Sequence, residues 1–204
     1  MALPPRIRGR TPRTQAMQTL SISFLGRDCP GIVANVTQTL SGLNCNITQL
    51  TQSILGGEFA GIFIVDVPDD IPMTDLKARL EAKLAEQSLD ISVLMRKAEE
   101  ERWDSRLSPC EPYVVTAEGP DGPGLIAALA RVFARHGINI ESLKFVTRQD
   151  GGTSALFLFE IEVPEDADVG RLRRELESAA RSKGLSVSMQ HRDIFEAMHR
   201  IADS

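Results

Sequence analysis

Two short loops carry the residues best suited to contact a small ligand, and both follow the pattern Gly-x-Asp-x-Pro-Gly. They read Gly26-Arg27-Asp28-Cys29-Pro30-Gly31 and, 93 positions later, Gly119-Pro120-Asp121-Gly122-Pro123-Gly124. An apolar helical stretch follows each loop, and an asparagine, Asn46 or Asn139, begins the next predicted strand. A helix N-terminus offers unpaired N–H donors and a partial positive charge, which suit a carboxylate. The loops therefore predict a small-ligand site, although the same residues also fit a capped turn that binds no ligand.

Each residue type in the loop has a predicted structural role. In the first copy, Gly26 lets the chain turn off a strand without a Cβ clash, and Asp28 caps the helix by accepting from free backbone N–H groups. Pro30 stands near the first helical position, where a missing N–H costs nothing. Gly31 permits close approach of another backbone or of a ligand. The second copy repeats these roles with Gly119, Asp121, Pro123 and Gly124.

Patterns of catalytic or metal-binding residues do not occur in the sequence. The histidines, His136, His191 and His199, lack metal-ligand spacing to any cysteine pair, and His136 suits a helix end. The second loop lacks the Lys-Ser/Thr ending of a P-loop, and there is no Gly-x-Ser-x-Gly elbow. Cys29 is either a tolerated small loop residue, since the second copy has Gly122 there, or a redox sensor at a helix N-terminus. We therefore expect no enzyme activity, no cofactor and no metal.

The chain repeats itself. Residues match at an offset of 93 as far as Leu50 and Leu143, and at an offset of 96 from Val65 and Ile161 onward. A three-residue insertion in a hairpin near 148–152 accounts for the change, because insertions are tolerated at hairpin tips. The sequence is therefore two copies of one unit.

Both copies have the same order of predicted elements. Leu20, Ile22 and Phe24 alternate with polar residues, which is typical of a half-buried strand, and apolar residues at helical spacing follow the loop. The full order is βαββαβ, so the predicted fold is α+β with two ferredoxin-like units in tandem. The predicted divisions are a disordered arm at 1–16, a first unit at 17–97, a linker at 98–111, a second unit at 112–191 and a short C-terminal helix at 192–204.

The doubled loop, the apolar helix and the strand entry Gly137-Ile138-Asn139-Ile140 resemble the signature of ACT domains. Tandem ACT domains without a catalytic domain are similar to the glycine cleavage system transcriptional repressor family. The resemblance implies a regulatory protein that responds to an amino acid bound between ACT units, and that acts through protein partners in transcriptional control of glycine-type metabolism. It also implies ligand contacts from Asp28 and Asn46 and from Asp121 and Asn139. Aspartate stands where many amino-acid-binding members carry asparagine, and it would favour a ligand's ammonium over its carboxylate.

Other functions remain open at this point. The chain could be an accessory regulatory subunit of a metabolic enzyme, since similar paired domains occur fused to catalytic domains. It could also be an interaction scaffold in which the loops are caps alone. We expect a homodimer, because the edge strands of a four-stranded sheet must be paired or protected. Trp103, in the charged linker, is expected either to pack across a domain junction or to anchor a partner protein.

Charge and composition narrow the classes of partner. The net charge is −5, and without the four arginines of the arm the remainder has 19 basic and 28 acidic residues. A DNA-binding surface needs a basic patch, so we expect no direct contact with nucleic acid. No apolar run approaches the ~20 residues that span a bilayer. Three scattered cysteines and no visible secretory signal predict a cytoplasmic protein without membrane contact.

Overall fold

Each half of the chain folds into a four-stranded antiparallel sheet with helices packed on it. The computed structural model describes residues 16–98, 109–149 and 153–202. The chain divides into two compact units, the first ending at Glu100 and the second beginning at Glu101. Trp103 and the predicted arm, apart from Ala16, lie outside the described residues.

The helices and strands occur in the predicted order. The elements of the first unit are β1 (Met17–Arg27), α1 (Ile32–Gly42), β2 (Asn46–Leu55), β3 (Glu58–Pro68), α2 (Met73–Glu86) and β4 (Ile91–Lys97). Those of the second unit are β5 (Cys110–Pro120), α3 (Leu125–Arg135), β6 (Asn139–Gln149), β7 (Thr153–Pro164), α4 (Val169–Arg181), β8 (Ser186–His191) and α5 (Arg192–Ala202). Strand β5 begins at Cys110, inside the stretch that was predicted as linker.

The strand pairing confirms the repeat and the fold class. The sheet orders are β2-β3-β1-β4 and β6-β7-β5-β8, which are equivalent in the two units. Leu50 of β2 pairs with Phe63 of β3. Leu143, 93 positions later, pairs with Phe159, which lies 96 positions after Phe63. The three additional residues of the second copy therefore lie in the hairpin between β6 and β7, as the sequence predicted.

One apolar core holds each unit together. Leu20, Ile22 and Phe24 alternate along β1 and are all buried, with the Phe24 ring centroid 5.0 Å from that of Phe63. Helical residues four positions apart cover this face of the sheet: Ile32, Val36 and Leu40 from α1, and Leu76, Leu80 and Leu84 from α2. The second unit repeats the arrangement around Phe159, so the sheet and the two helices of each unit have a fixed geometry.

A fifth helix packs on the opposite face of the second sheet. Helix α5 follows β8 directly and contacts β5 and β8. Arg192 Nη2 donates to Glu162 Oε1 at 3.3 Å, and Val114 on this face is only 3% exposed. The corresponding face of the first sheet leaves Leu25 and Leu94 58% and 68% exposed. Within the described part of the first unit, no helix covers that face.

Candidate functional site

Gly26 and Gly119 allow another segment of backbone to lie against the end of the first strand of each unit. A Cβ on Gly26 would overlap the Asp90 carbonyl oxygen, and one on Gly119 would lie 2.7 Å from the Gly184 carbonyl oxygen. Neither glycine has a positive φ. The prediction that a Cβ would clash at these positions is therefore confirmed, and close packing of backbone, rather than a left-handed conformation, explains both glycines.

Conformational freedom is needed at Gly31 and Gly124 instead. Their φ angles are 103° and 80°, in the left-handed region that glycine adopts without a steric penalty. Each is the N-cap of its helix. A Cβ on Gly124 would have no neighbour closer than 3.7 Å, so close approach of backbone is not the reason for this glycine. Close approach of another backbone segment, predicted for Gly31 and Gly124, is thus found at Gly26 and Gly119.

The predicted aspartate caps do not form. Asp28 and Asp121 precede the N-cap glycines by three residues, and among the described residues neither carboxylate accepts a hydrogen bond from its helix. Pro30 and Pro123 directly precede the N-cap and do not occupy the first helical position. An aspartate does cap α4, where Asp168 Oδ1 accepts a backbone N–H at 2.8 Å. The loop carboxylates are consequently available to a ligand.

A first pocket of about 170 Å³ opens beside the first loop. Its walls come from the loop, from the first turn of α1 and from the hairpin: Asp28, Cys29, Gly31, Ile32, Val33, Ala34, Gln52, Ile54 and Phe59. The first bond of the helix runs from the Asn35 N–H to the Gly31 carbonyl at 2.9 Å, so earlier N–H groups have no partner within the helix. The Asp28 N–H donates to the Gly57 carbonyl at 2.8 Å, which ties the loop to the hairpin tip.

A second pocket of about 400 Å³ lies at the equivalent place in the second unit. It is lined by Asp121, Gly122, Gly124, Leu125, Ile126, Ala127, Phe145 and Phe157. The rings of Phe145 and Phe157 are stacked, with centroids 5.0 Å apart and an interplanar angle of 23°. Each loop thus forms one wall of a pocket that combines a carboxylate, free N–H donors and apolar side chains.

Asn46 and Asn139 lie at the other end of their sheets. Asn46 pairs with Asp66 of β3, whereas Gly26 of the loop pairs with Phe59. The stretch of β3 between these two positions spans about 23 Å at ~3.3 Å per residue. In the second unit, the Asn139 side chain donates to Glu141 Oε1 at 2.9 Å. Neither asparagine therefore reaches the loop pocket of its own unit.

Sequence reasoning missed the strand residues that form the pocket walls. Gln52 and Phe59 in the first unit, and Phe145 and Phe157 in the second, were not candidates. A signal was present, because both strands of each hairpin alternate and place these side chains on the helix side of the sheet. The missing information was that the start of the first helix lies next to the edge strand.

Two further kinds of feature were sought among the described residues: a cluster of metal ligands and a helix that could span a membrane. Across residues 16–98, 109–149 and 153–202, no three His, Cys, Asp or Glu residues form a group suited to a metal ion. In the same ranges, no helix combines the length and apolar character needed to cross a bilayer.

Comparisons with known proteins identify the repeated unit. ACT-domain models match residues 18–94 and 113–181. A UPF0237 protein of Methanopyrus kandleri is 38% identical over 88 residues, which cover 43% of this chain and 96% of that protein. The glycine cleavage system transcriptional repressor of Escherichia coli is 32% identical over 126 residues, and the match covers 61% of this chain and 62% of the repressor.

A solved structure shows the same fold over most of the chain. A crystal structure of a protein from Galdieria sulphuraria superposes with a TM-score of 0.70 at 22% identity, covering 86% of this chain and 99% of that one. The two family matches agree with the equivalent sheet orders of the two units and with the repeated loop. The chain belongs to the ACT-domain family and carries two ACT domains in tandem.

Proposed function

We propose that this chain is a regulatory protein that binds a small amino acid and acts through contacts with partner proteins. The observation that carries the proposal is the presence of an equivalent pocket in both units, next to the repeated loop. A free amino acid carries an ammonium and a carboxylate. The loop aspartate would attract the ammonium, and the N–H groups at the helix start would attract the carboxylate.

A role in transcriptional control of glycine-type amino-acid metabolism is supported by similarity to the Escherichia coli repressor. The chain is acidic outside the arm, so it would act through a protein partner rather than through its own contact with DNA. No catalytic step is needed for this role. We also propose that the protein is a cytoplasmic homodimer, which would protect edge strands β2 and β6 and the exposed Leu25 and Leu94.

A thermal-shift screen of the twenty amino acids tests the proposed function. A ligand at one hundred times its dissociation constant stabilises the protein by about 2.7 kcal/mol. We therefore expect at least one amino acid to raise the melting temperature by roughly 5–11 °C in a chain of this size. Asp121→Ala should reduce that shift. It should leave the unliganded melting temperature nearly unchanged, because Asp121 is exposed and does not cap α3.

Asn139→Ala is the matched control, since Asn139 is also exposed but lies away from the pocket of its unit. It should leave the ligand-induced shift intact. Loss of the shift in Asn139→Ala alone would place the ligand at the start of β6 instead. If no amino acid changes the melting temperature, the loops are not ligand sites, and an interaction scaffold becomes the better description.

A further inference from the structure

The two pockets differ because an aromatic ring occupies different positions on equivalent strands. Gly26 pairs with Phe59 in the first unit, and Gly119 pairs with Ala155 in the second, so Phe59 and Ala155 are equivalent. Two positions further on, Gly61 of the first unit corresponds to Phe157. The ring near the loop therefore comes from position 59 in one unit and from position 157 in the other.

The edge strands make the difference larger. Gln52 of β2 pairs with Gly61, whereas the equivalent Phe145 of β6 pairs with Phe157 and stacks on its ring. Phe157 is buried, but Phe145 remains 48% exposed and Ile126 on α3 39% exposed. The second pocket thus has apolar walls that are still open to solvent. The first pocket has an amide at the corresponding wall and less than half the volume.

A lysine side chain lies beside the second loop, close to the start of α3. Lys183 Nζ lies 3.7 Å from the position that a Cβ on Gly124 would occupy. Among the described residues, its ammonium has no hydrogen-bond or ion-pair partner. Lys183 precedes Gly184, the left-handed residue after α4, as Gln87 precedes the left-handed Ser88 after α2, so the equivalent residue of the first unit is the neutral Gln87. The first unit therefore has no cation at the place of Lys183, and the basic residue of its loop, Arg27, directly precedes Asp28.

We propose that the second pocket binds an amino acid with a large apolar side chain, and that the first pocket does not. This inference rests on the proposed function and specifies its ligand class and its site. Asp121 and Lys183 match the two charges of a free amino acid, and the Phe145–Phe157 wall takes its side chain. A volume of about 400 Å³ falls in the usual range for ligand pockets, whereas 170 Å³ falls below it.

Glycine would leave the phenylalanine wall uncovered. Burial of a leucine or phenylalanine side chain corresponds to roughly ten- to one-hundred-fold in affinity relative to no side chain. We therefore expect leucine or phenylalanine to bind at least about ten-fold more tightly than glycine. The expected stoichiometry is a single ligand per chain.

Isothermal titration of the full chain with leucine, phenylalanine and glycine tests the inference. Phe145→Gln, which introduces the residue of the first unit, should weaken the binding of the larger ligands about ten-fold or more and leave glycine binding unchanged. Gln52→Ala, the matched control in the first pocket, should change neither. Ile126→Gln alters a second half-exposed wall residue and should act as Phe145→Gln does, which keeps the test valid if one variant does not fold.

The outcomes separate the two proposals. If glycine binds as tightly as leucine and phenylalanine, or if Gln52→Ala weakens binding while Phe145→Gln and Ile126→Gln do not, the inference is wrong but the proposed function stands. If no amino acid binds at millimolar concentration, the proposed function and the inference both fail.

Discussion

Gly26 and Gly119 occupy places where a methyl group does not fit. The turn before β4 places the Asp90 carbonyl against Gly26, and the turn before β8 places the Gly184 carbonyl against Gly119. The obstacle in each case is backbone held at both ends, which cannot move away as a flexible side chain could. These glycines therefore determine how closely the last strand packs against the first.

Gly26→Ala should be strongly destabilising, by about 3 kcal/mol or more, because the added methyl group overlaps a fixed carbonyl. Urea unfolding followed by circular dichroism measures the change in the free energy of unfolding. Gly42→Ala is the control, since nothing lies within 4 Å of its Cβ position at the end of α1. That variant should be neutral or stabilising by up to about 1 kcal/mol. Equal effects of the two substitutions would contradict the packing explanation.

The sequence predicted where the loop glycines and aspartates lie better than it predicted their structural roles. The glycines and aspartates of the repeated loop lie beside a pocket or at a close contact, but the helix N-cap is a left-handed glycine and not the aspartate. The sequence does not show whether a glycine is required because its φ angle is positive or because a Cβ would have no room. For the pocket walls from β2 and β6, alternation indicates the face on which each side chain lies, but not which strand lies next to the helix start.

Helices α3 and α4 are joined by one carboxylate with three partners. Glu175 on α4 accepts from Arg171 at 2.9 Å, from Arg135 at the end of α3 at 3.2 Å, and lies 3.3 Å from His136. The hydrogen bonds from Arg171 and Arg135 lower the pKa of Glu175 to about 2. Apolar residues at helical spacing and the repeated βαββαβ order predicted both helices from the sequence. This cluster was not predicted, because it joins residues forty positions apart.

The cluster predicts a specific dependence of stability on pH. A carboxylate whose pKa is lower in the folded protein adds stability above its ordinary value near 4.5, and that contribution is lost as the pH falls toward 2. Glu175→Gln should therefore lower the melting temperature at pH 7, and the difference from the unmodified protein should disappear near pH 2. Melting curves across this range measure the effect.

Glu81→Gln provides the comparison on the first unit. Glu81 pairs with Lys77 on the same exposed helix face at 3.6 Å, and such pairs contribute little to stability. This substitution should have almost no effect at any pH. A melting-temperature difference for Glu175→Gln that persists unchanged at pH 2 would show that the loss comes from packing and not from charge.

The charge of the whole molecule is distributed unevenly along the sequence. Residues 1–16 hold four arginines and no acid, while the remainder is acidic. Affinity for DNA comes largely from neutralised phosphates, which requires clustered basic residues. On net charge, we therefore expect the arm, rather than the acidic remainder of the chain, to supply any attraction to nucleic acid.

A protein that begins at Met17 should show no tight, sequence-selective DNA binding at physiological salt. Gel retardation at about 150 mM salt, with the full chain and the shortened chain side by side, measures this. Weak binding by the full chain that disappears on removal of the arm would agree with the charge distribution. Tight selective retardation by the shortened chain would refute the expectation, and with it the need for a partner protein in transcriptional control.

The different ring positions of the two β-hairpins also constrain the history of the repeat. A Cβ on Gly61 would lie 3.0 Å from the Phe59 ring, so a phenylalanine acquired first at position 61 would compete for occupied space. Loss of the Phe59 ring first would leave a cavity, at a cost on the order of 3–5 kcal/mol. Either single step lowers stability, and only the pair restores it. The pairs Phe59–Gly61 and Ala155–Phe157 are thus epistatic alternatives. Once the two copies have diverged, a stability barrier opposes the exchange of these residues one at a time.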